Sequence, residues 1–379
     1  MSHSRIRSLD GLRGIAAMVV CIHHSLLCTV DFSNNATFEY ERSSLTWWLK
    51  WSPMHILWDG SAAVVIFFVL SGFVLSVDRV GHSQSQIRSG WSGYFPKRLV
   101  RLYVPVWIAT VLAAVNIAIV NRKDQGLVSS WLSARSGVLS RRMFAEDFFL
   151  LNNPGISNSV LWSLKYEILF SLSLPLWVGF ARKLKSPKTL IPPSIFLIFI
   201  LAQGRGELTV IFYCMFIFFI GVILARNYEF NKTRIVAIMP TVSVTILMVL
   251  LLTFPWTRFG TGLSSSTDPM WIGIDSAAAA GGAGLAVWGC LYLIRWDFVF
   301  ESDVIQWIGK RSFSLYLIHE PVVIAYSYLN RGHPSIIGMF VIAIPLCLLL
   351  ANCFYLLVEK PSIKLARLFG NLFVNRKHI

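Results

Sequence analysis

Charge is what this chain has least of. Of its 379 residues only 14% are Asp, Glu, Lys or Arg, against about 25% in an ordinary soluble domain. A water-facing surface large enough for a chain of this length is hard to build from so few charges. Acidic groups are scarcer still, 19 against 34 basic ones, giving a formal net charge of +15. There are six cysteines, none in a C-x-x-C pair and all in or beside apolar runs. That excludes a disulfide framework and a thiolate metal site, and no metal is expected. No polar linker divides the chain, no internal repeat is evident, and no small-residue cleavage site follows the first apolar run, which is therefore read as a retained helix.

What is abundant is apolar: 55% hydrophobic residues and a mean hydropathy of +0.62. A helix crosses a bilayer in about 20 residues, and apolar runs of roughly that length fall near 13–30, 59–78, 102–120, 159–180, 189–203, 208–226, 236–254, 274–296, 312–330 and 335–357. The fold class expected is all-α, a polytopic membrane helical bundle of about ten transmembrane helices, forming a single membrane domain over 1–379. The run at 189–203 is the weakest, since it starts at Pro192 and Pro193. With the N-terminus inside, roughly two thirds of the 34 Lys and Arg fall in cytoplasmic segments, so both termini are expected in the cytoplasm, in a plasma membrane. The excess positive charge then belongs beside anionic lipid, with no nucleic-acid partner.

Two outside loops, about 31–58 and 121–158, are long enough for roles of their own. The first holds Trp47, Trp48, Trp51, His55 and Trp58, an interfacial aromatic shelf; the second ends in the turn-rich NNPGISN. Each reads equally as the lining of a substrate entrance or as an amphipathic cover. A short basic tail is expected at 358–379. The small-residue stretch SAAAAGGAG at 276–284 is assigned to helix packing.

Five stretches carry polarity that lipid would not tolerate without a reason. In the first, Asp10 and Arg13 lie three apart on one helical face, and His23 and His24 follow inside the apolar run. Histidine takes and returns a proton near neutral pH, although a pair of hydrogen-bonded packing histidines would look the same. In the second, Ser71 and Gly72 interrupt a span, a pattern more usual for packing than for chemistry. The third, YFPKRLVRLYVP, groups Lys97, Arg98 and Arg101, which suits phosphate and equally suits lipid head groups. In the fourth, Ser163 and Glu167 are four apart. In the fifth, Tyr316 and His319 share a face, and Glu320 precedes Pro321, which can bend the helix and free a carbonyl.

Together, LDGLRG with His24, FFVLSGFVL, the Lys-Arg-x-x-Arg-Leu-Tyr-x-Pro stretch, WSLKYE and YLIHEP resemble the acyltransferase-3 family of integral membrane O-acyltransferases, over most of residues 5–360. The resemblance implies transfer of an acyl group, acetyl by default, from acyl-CoA to a hydroxyl of a sugar, glycan or secondary metabolite. It places the family histidine at His24, the family Asp and Arg at Asp10 and Arg13, and the basic pair at Arg98 and Arg101. On that reading His24 is the base, Asp10 and Arg13 organise the way in, Glu167 or another polar group orients His24, and Lys97, Arg98 and Arg101 hold donor phosphates. Ser71, Ser163, Tyr316, His319 and Glu320 complete the polar candidates. Acyl-CoA is a co-substrate, with no tightly bound cofactor; the partners are the hydroxyl acceptor and membrane lipid. The alternatives are a transporter or flippase of a lipid-linked or acylated substrate, and a purely structural membrane partner.

Overall fold

A computed structural model describes residues 6–33, 44–81, 84–122, 129–135, 138–184, 186–230, 233–262 and 268–375. Parts of both outside loops (34–43, 123–128 and 136–137) and the last residues of the tail lie outside the described residues. Those described form helices and turns with no strand, the nearest approach to one being an isolated bridge between Ile235 and Leu293. The long helices are α1 (Arg7–Leu27), α2 (Gly60–Val80), α3 (Gln84–Ile119), α4 (Leu161–Lys183), α5 (Ile191–Ala202), α6 (Glu207–Phe230), α7 (Ile238–Gly260), α8 (Pro269–Tyr292) and α9 (Asp303–Leu329). A last helix, α10 (Ile336–Phe373), is continuous through two π-turns at Met339–Ala343 and Tyr355–Glu359.

A helix therefore stands at each expected span. Seven of them (α2, α3, α4, α6, α7, α8 and α10) are long and apolar enough to cross a membrane. The other three fall short for different reasons: α1 and α9 have the length but carry the histidines and charged groups, and α5 has only 12 residues. The ends also differ from expectation. α3 begins at Gln84 rather than near 102, and the expected tail is helical over Lys360–Asn375, with Leu365, Leu368 and Leu372 exposed.

The chain forms two compact units. The first comprises 1–19, 40–83 and 169–310; the second comprises 20–39, 84–168 and 311–379. In the first unit, α2 and α6 meet backbone to backbone: a Cβ on Gly72 would collide with the Phe218 carbonyl, and one on Gly221 with the Val69 carbonyl. Close crossing through small residues is how membrane helices gain contact without a hydrophobic drive between them. The start of α1 uses the same device, with Gly11 against the Phe300 backbone and Gly14 against Gly309. It is fastened by Ser8 Oγ donating to the Cys290 carbonyl at 2.7 Å and by Gln306 Nε2 donating to the Arg7 carbonyl at 2.7 Å. The aromatic shelf is partly turned inward: His55 stacks on Trp256 with centroids 4.1 Å apart, and Trp58 is buried while Trp48 stays exposed.

In the second unit α10 runs along α3, and its π-turn at Tyr355–Glu359 delivers Glu359 to the Ser314 hydroxyl, 2.5 Å away. Five of the six thiols in the chain are buried, leaving Cys353 exposed.

Candidate active site

The site grows from a proline. Pro321, inside α9, has no N–H to give the Leu317 carbonyl one turn back. A buried carbonyl must find another donor, and Asn158 Nδ2 supplies it at 2.6 Å. Asn116 Nδ2 caps the Pro321 carbonyl in the same way at 3.2 Å. The turn so held carries His319 and Glu320, both buried.

His319 Nδ1 lies 2.9 Å from the Leu315 carbonyl. A carbonyl only accepts, so this nitrogen carries the proton, and in the neutral ring Nε2 is bare. That bare nitrogen lies 2.9 Å from His24 Nδ1, which must then be the donor. His24 Nε2 therefore keeps its lone pair. Orientation of one histidine through the far nitrogen of its ring is a general way of fixing a tautomer. The two rings are nearly parallel, 12° apart with centroids at 5.0 Å, and half-buried His24 also stacks on Trp131 at 5.2 Å. His23 packs beside it at a tilt.

Beyond Trp131 lies a charged tier. The Arg135 guanidinium sits 3.6 Å from the Trp131 ring centre, donates from Nε to Glu320 Oε1 at 2.9 Å, and leaves Glu320 Oε2 to the Ser159 hydroxyl at 2.6 Å. Ser159 and Asn158 reach this position because the preceding loop is fixed. Buried Asp147 accepts from the backbone of Gly155, Ile156 and Ser157 and from the Ser157 hydroxyl at 2.5–3.2 Å. These bonds hold a turn in which Leu150, Asn152 and Gly155 all have positive φ.

The sequence candidates divide cleanly. His24, His319 and Glu320 share one neighbourhood in the second unit, with Ser163 and Tyr316 joined by a 2.7 Å bond between their hydroxyls beside it, the Tyr316 ring 6.1 Å from that of His319. Glu167, expected as one possible partner of His24, forms an ion pair with Arg98, and the ring beside His24 Nδ1 is that of His319. Lys97 and Arg101 lie on the exposed side of α3. Asp10 and Arg13 pair at 3.5 Å within the first unit, where Ser71 also lies beside the Gly72 crossing. Among the described residues no group of His, Cys, Asp and Glu could hold a metal ion. Sequence reasoning missed Trp131, Arg135, Asp147, Asn158 and Ser159. Polar and aromatic residues are ordinary in a loop, and only the NNPGISN turn and the carbonyl freed by Pro321 hinted that something had to dock there.

A bare imidazole nitrogen backed by a second, fixed imidazole can accept a proton from a hydroxyl and return it, without any other side chain changing charge. An acyltransferase-domain family model matches residues 6–354. The chain is 24% identical to the O-acetyltransferase PaAT-1 of Phomopsis amygdali, covering 96% of this chain and 86% of that protein. It is 28% identical to the acyltransferase MdmB of Streptomyces mycarofaciens over 48% of this chain and 41% of that one. It is also 23% identical to the O-acetyltransferase OatA of Staphylococcus aureus over 93% of this chain, which spans 56% of that protein's length. No solved structure matches.

Proposed function

Since the chain belongs to the acyltransferase-3 family, a membrane acyltransferase family whose model it matches over residues 6–354, we propose that it moves an acyl group, acetyl by preference, from acyl-CoA to a hydroxyl of a sugar, glycan or secondary metabolite. The observation that carries this reading is the run of hydrogen bonds from Leu315 through His319 to His24, which leaves His24 Nε2 as a base. In the reaction His24 Nε2 takes the acceptor's hydroxyl proton while that oxygen attacks the thioester carbonyl. The C–S bond breaks, and the imidazolium returns the proton to the departing thiolate of coenzyme A. His319 holds the other nitrogen of His24 in register throughout. A covalent acyl-His24 stage would use the same lone pair and would let the two substrates arrive in turn.

Lys97 and Arg101 are the cations assigned to the donor phosphates, with Arg98 set in place by Glu167. Asp10 and Arg13 organise the way in at the cytoplasmic side. The proposed setting is a plasma membrane with both termini in the cytoplasm, following the bias of basic residues. Purified protein in nanodiscs, given acetyl-CoA and a panel of sugar acceptors, should release free coenzyme A in proportion to ester formed. His24→Ala should lower that rate at least about 10²- to 10⁴-fold, the usual worth of a general base, with insertion and thermal unfolding unchanged. Near-normal turnover by a well-folded His24→Ala protein refutes both the direct and the covalent version.

A further inference from the structure

Among the described residues, the charged tier next to Trp131 has one cation too many. Arg135 is matched by Glu320, but a second arginine, Arg122, stands behind it, 7% exposed. Its partners are neutral: Nη1 donates to the Arg135 carbonyl at 3.1 Å and Nη2 to Asn116 Oδ1 at 2.7 Å. Its Nε is buried and has no hydrogen-bond partner among the described residues. Arg135 spends Nε on Glu320 and Nη1 on the Trp131 carbonyl at 2.9 Å, so Nη2 remains without a bond among the described residues, on a side chain 20% exposed. Two guanidiniums thus share one carboxylate, whose second oxygen is already taken by Ser159.

Stapling the 129–135 backbone does not require a full charge, because a neutral amide could donate to the same two oxygens. A buried cation without a counter-ion is costly, and burial pulls the Arg122 guanidinium below its ordinary value. The excess is one aromatic ring's width from His24, since Trp131 stacks on His24 and lies against the Arg135 guanidinium. We propose that Arg122 and Arg135 form an anion-accepting subsite beside the base, so that the acceptor carries a carboxylate or phosphate in addition to the hydroxyl that is acylated. The open edge of Arg135 receives the anion and Arg122 supplies the positive potential behind it. Calling the ligand the acceptor rests on the acyl-transfer reading; the existence of the subsite does not.

The test is binding, read apart from turnover. Isothermal titration of the full chain in phosphatidylcholine nanodiscs with glucuronate, glucose 6-phosphate and glucose should show saturable binding of the two anions and about tenfold or more weaker binding of glucose. Arg135→Gln should erase that preference, Arg135→Lys should keep it at reduced affinity, and Arg122→Gln should weaken both anions. Should Arg122→Gln fail to insert, the Arg135 pair carries the test alone. Equal binding of glucose and glucuronate overturns the proposal, as does no saturable binding of either anion. Displacement of glucuronate by coenzyme A also overturns it, by assigning the cations to the donor. If the anions bind as expected but His24→Ala still turns over, the subsite stands and the catalytic reading falls.

Discussion

At the scale of single residues, the proposed mechanism needs one of the two tautomers of the neutral His24 ring, and the contact with His319 selects it. That tautomer has its lone pair on Nε2 and its proton on Nδ1, where His319 Nε2 accepts it. His319→Phe removes the acceptor and should lower kcat about 10- to 100-fold, the cost typical of losing an orienting partner, with KM for acetyl-CoA unchanged. His319→Gln, whose amide oxygen can accept from His24 Nδ1, should recover most of that loss; equal rates and equal pH–rate profiles for the two variants would contradict the assignment. The loop offers a pH test outside the membrane. Hydrogen bonds from Arg142 and then Asn152 hold the Glu146 carboxyl below the ordinary carboxylate range. A depressed carboxyl contributes above its unfolded value and loses that contribution as pH falls through its folded value. Amides of the 150–157 turn should therefore be better protected from hydrogen exchange in wild type than in Glu146→Gln at pH 6, and the difference should vanish below about pH 4. His24, Tyr316, His319 and Glu320 were legible because polarity within an apolar run needs a reason. Arg98 was legible as a cation, but not as one engaged by Glu167, because that pairing spans 69 residues of chain.

At the scale of elements, two kinds of join decide where these side chains arrive. The first is the glycine crossing of α2 and α6. Gly72→Ala and Gly221→Ala each push a methyl into backbone and should lower stability by about 1–3 kcal/mol or more, read as thermal unfolding in detergent. Gly179→Ala, which meets nothing within 4 Å, should be neutral or slightly stabilising as a helix former. The second join is the exchange at Pro321, where Asn158 replaces the missing backbone donor. Asn158→Leu strands the Leu317 carbonyl and should cost about 1–3 kcal/mol. Adding Pro321→Ala returns an N–H to that carbonyl and should recover part of the loss, whereas purely additive effects would show that the carbonyl was never the issue. The sequence announced the proline's vacancy but not its filler, since a turn's geometry is set by Asp147 and by three positive-φ residues rather than by periodicity.

At the scale of the whole molecule, hydropathy was enough to find every long helix among the described residues, because lipid demands that backbone groups be satisfied within each span. It was not enough to fix their ends. α3 extends well ahead of its apolar part, and α10 runs past Glu359 into the segment that composition alone marked as a short basic tail. α1 and α9 show the opposite problem: the polar groups that make them candidate site helices are the ones that weaken them as spans. With protease-sensitive tags at each end, both should be cleaved in inside-out vesicles and spared in right-side-out ones; the opposite pattern would reverse the proposed orientation, and cleavage of one tag from each side would refute a shared side for the termini.

The burial of five cysteines leaves Cys353 alone accessible on α10. A thiol-reactive spin label or fluorophore able to enter a bilayer would therefore meet a single address in the unaltered chain. The protein can be given a spectroscopic reporter without a background of cysteine replacements, and distances from that sulfur to a labelled acceptor could be followed during turnover.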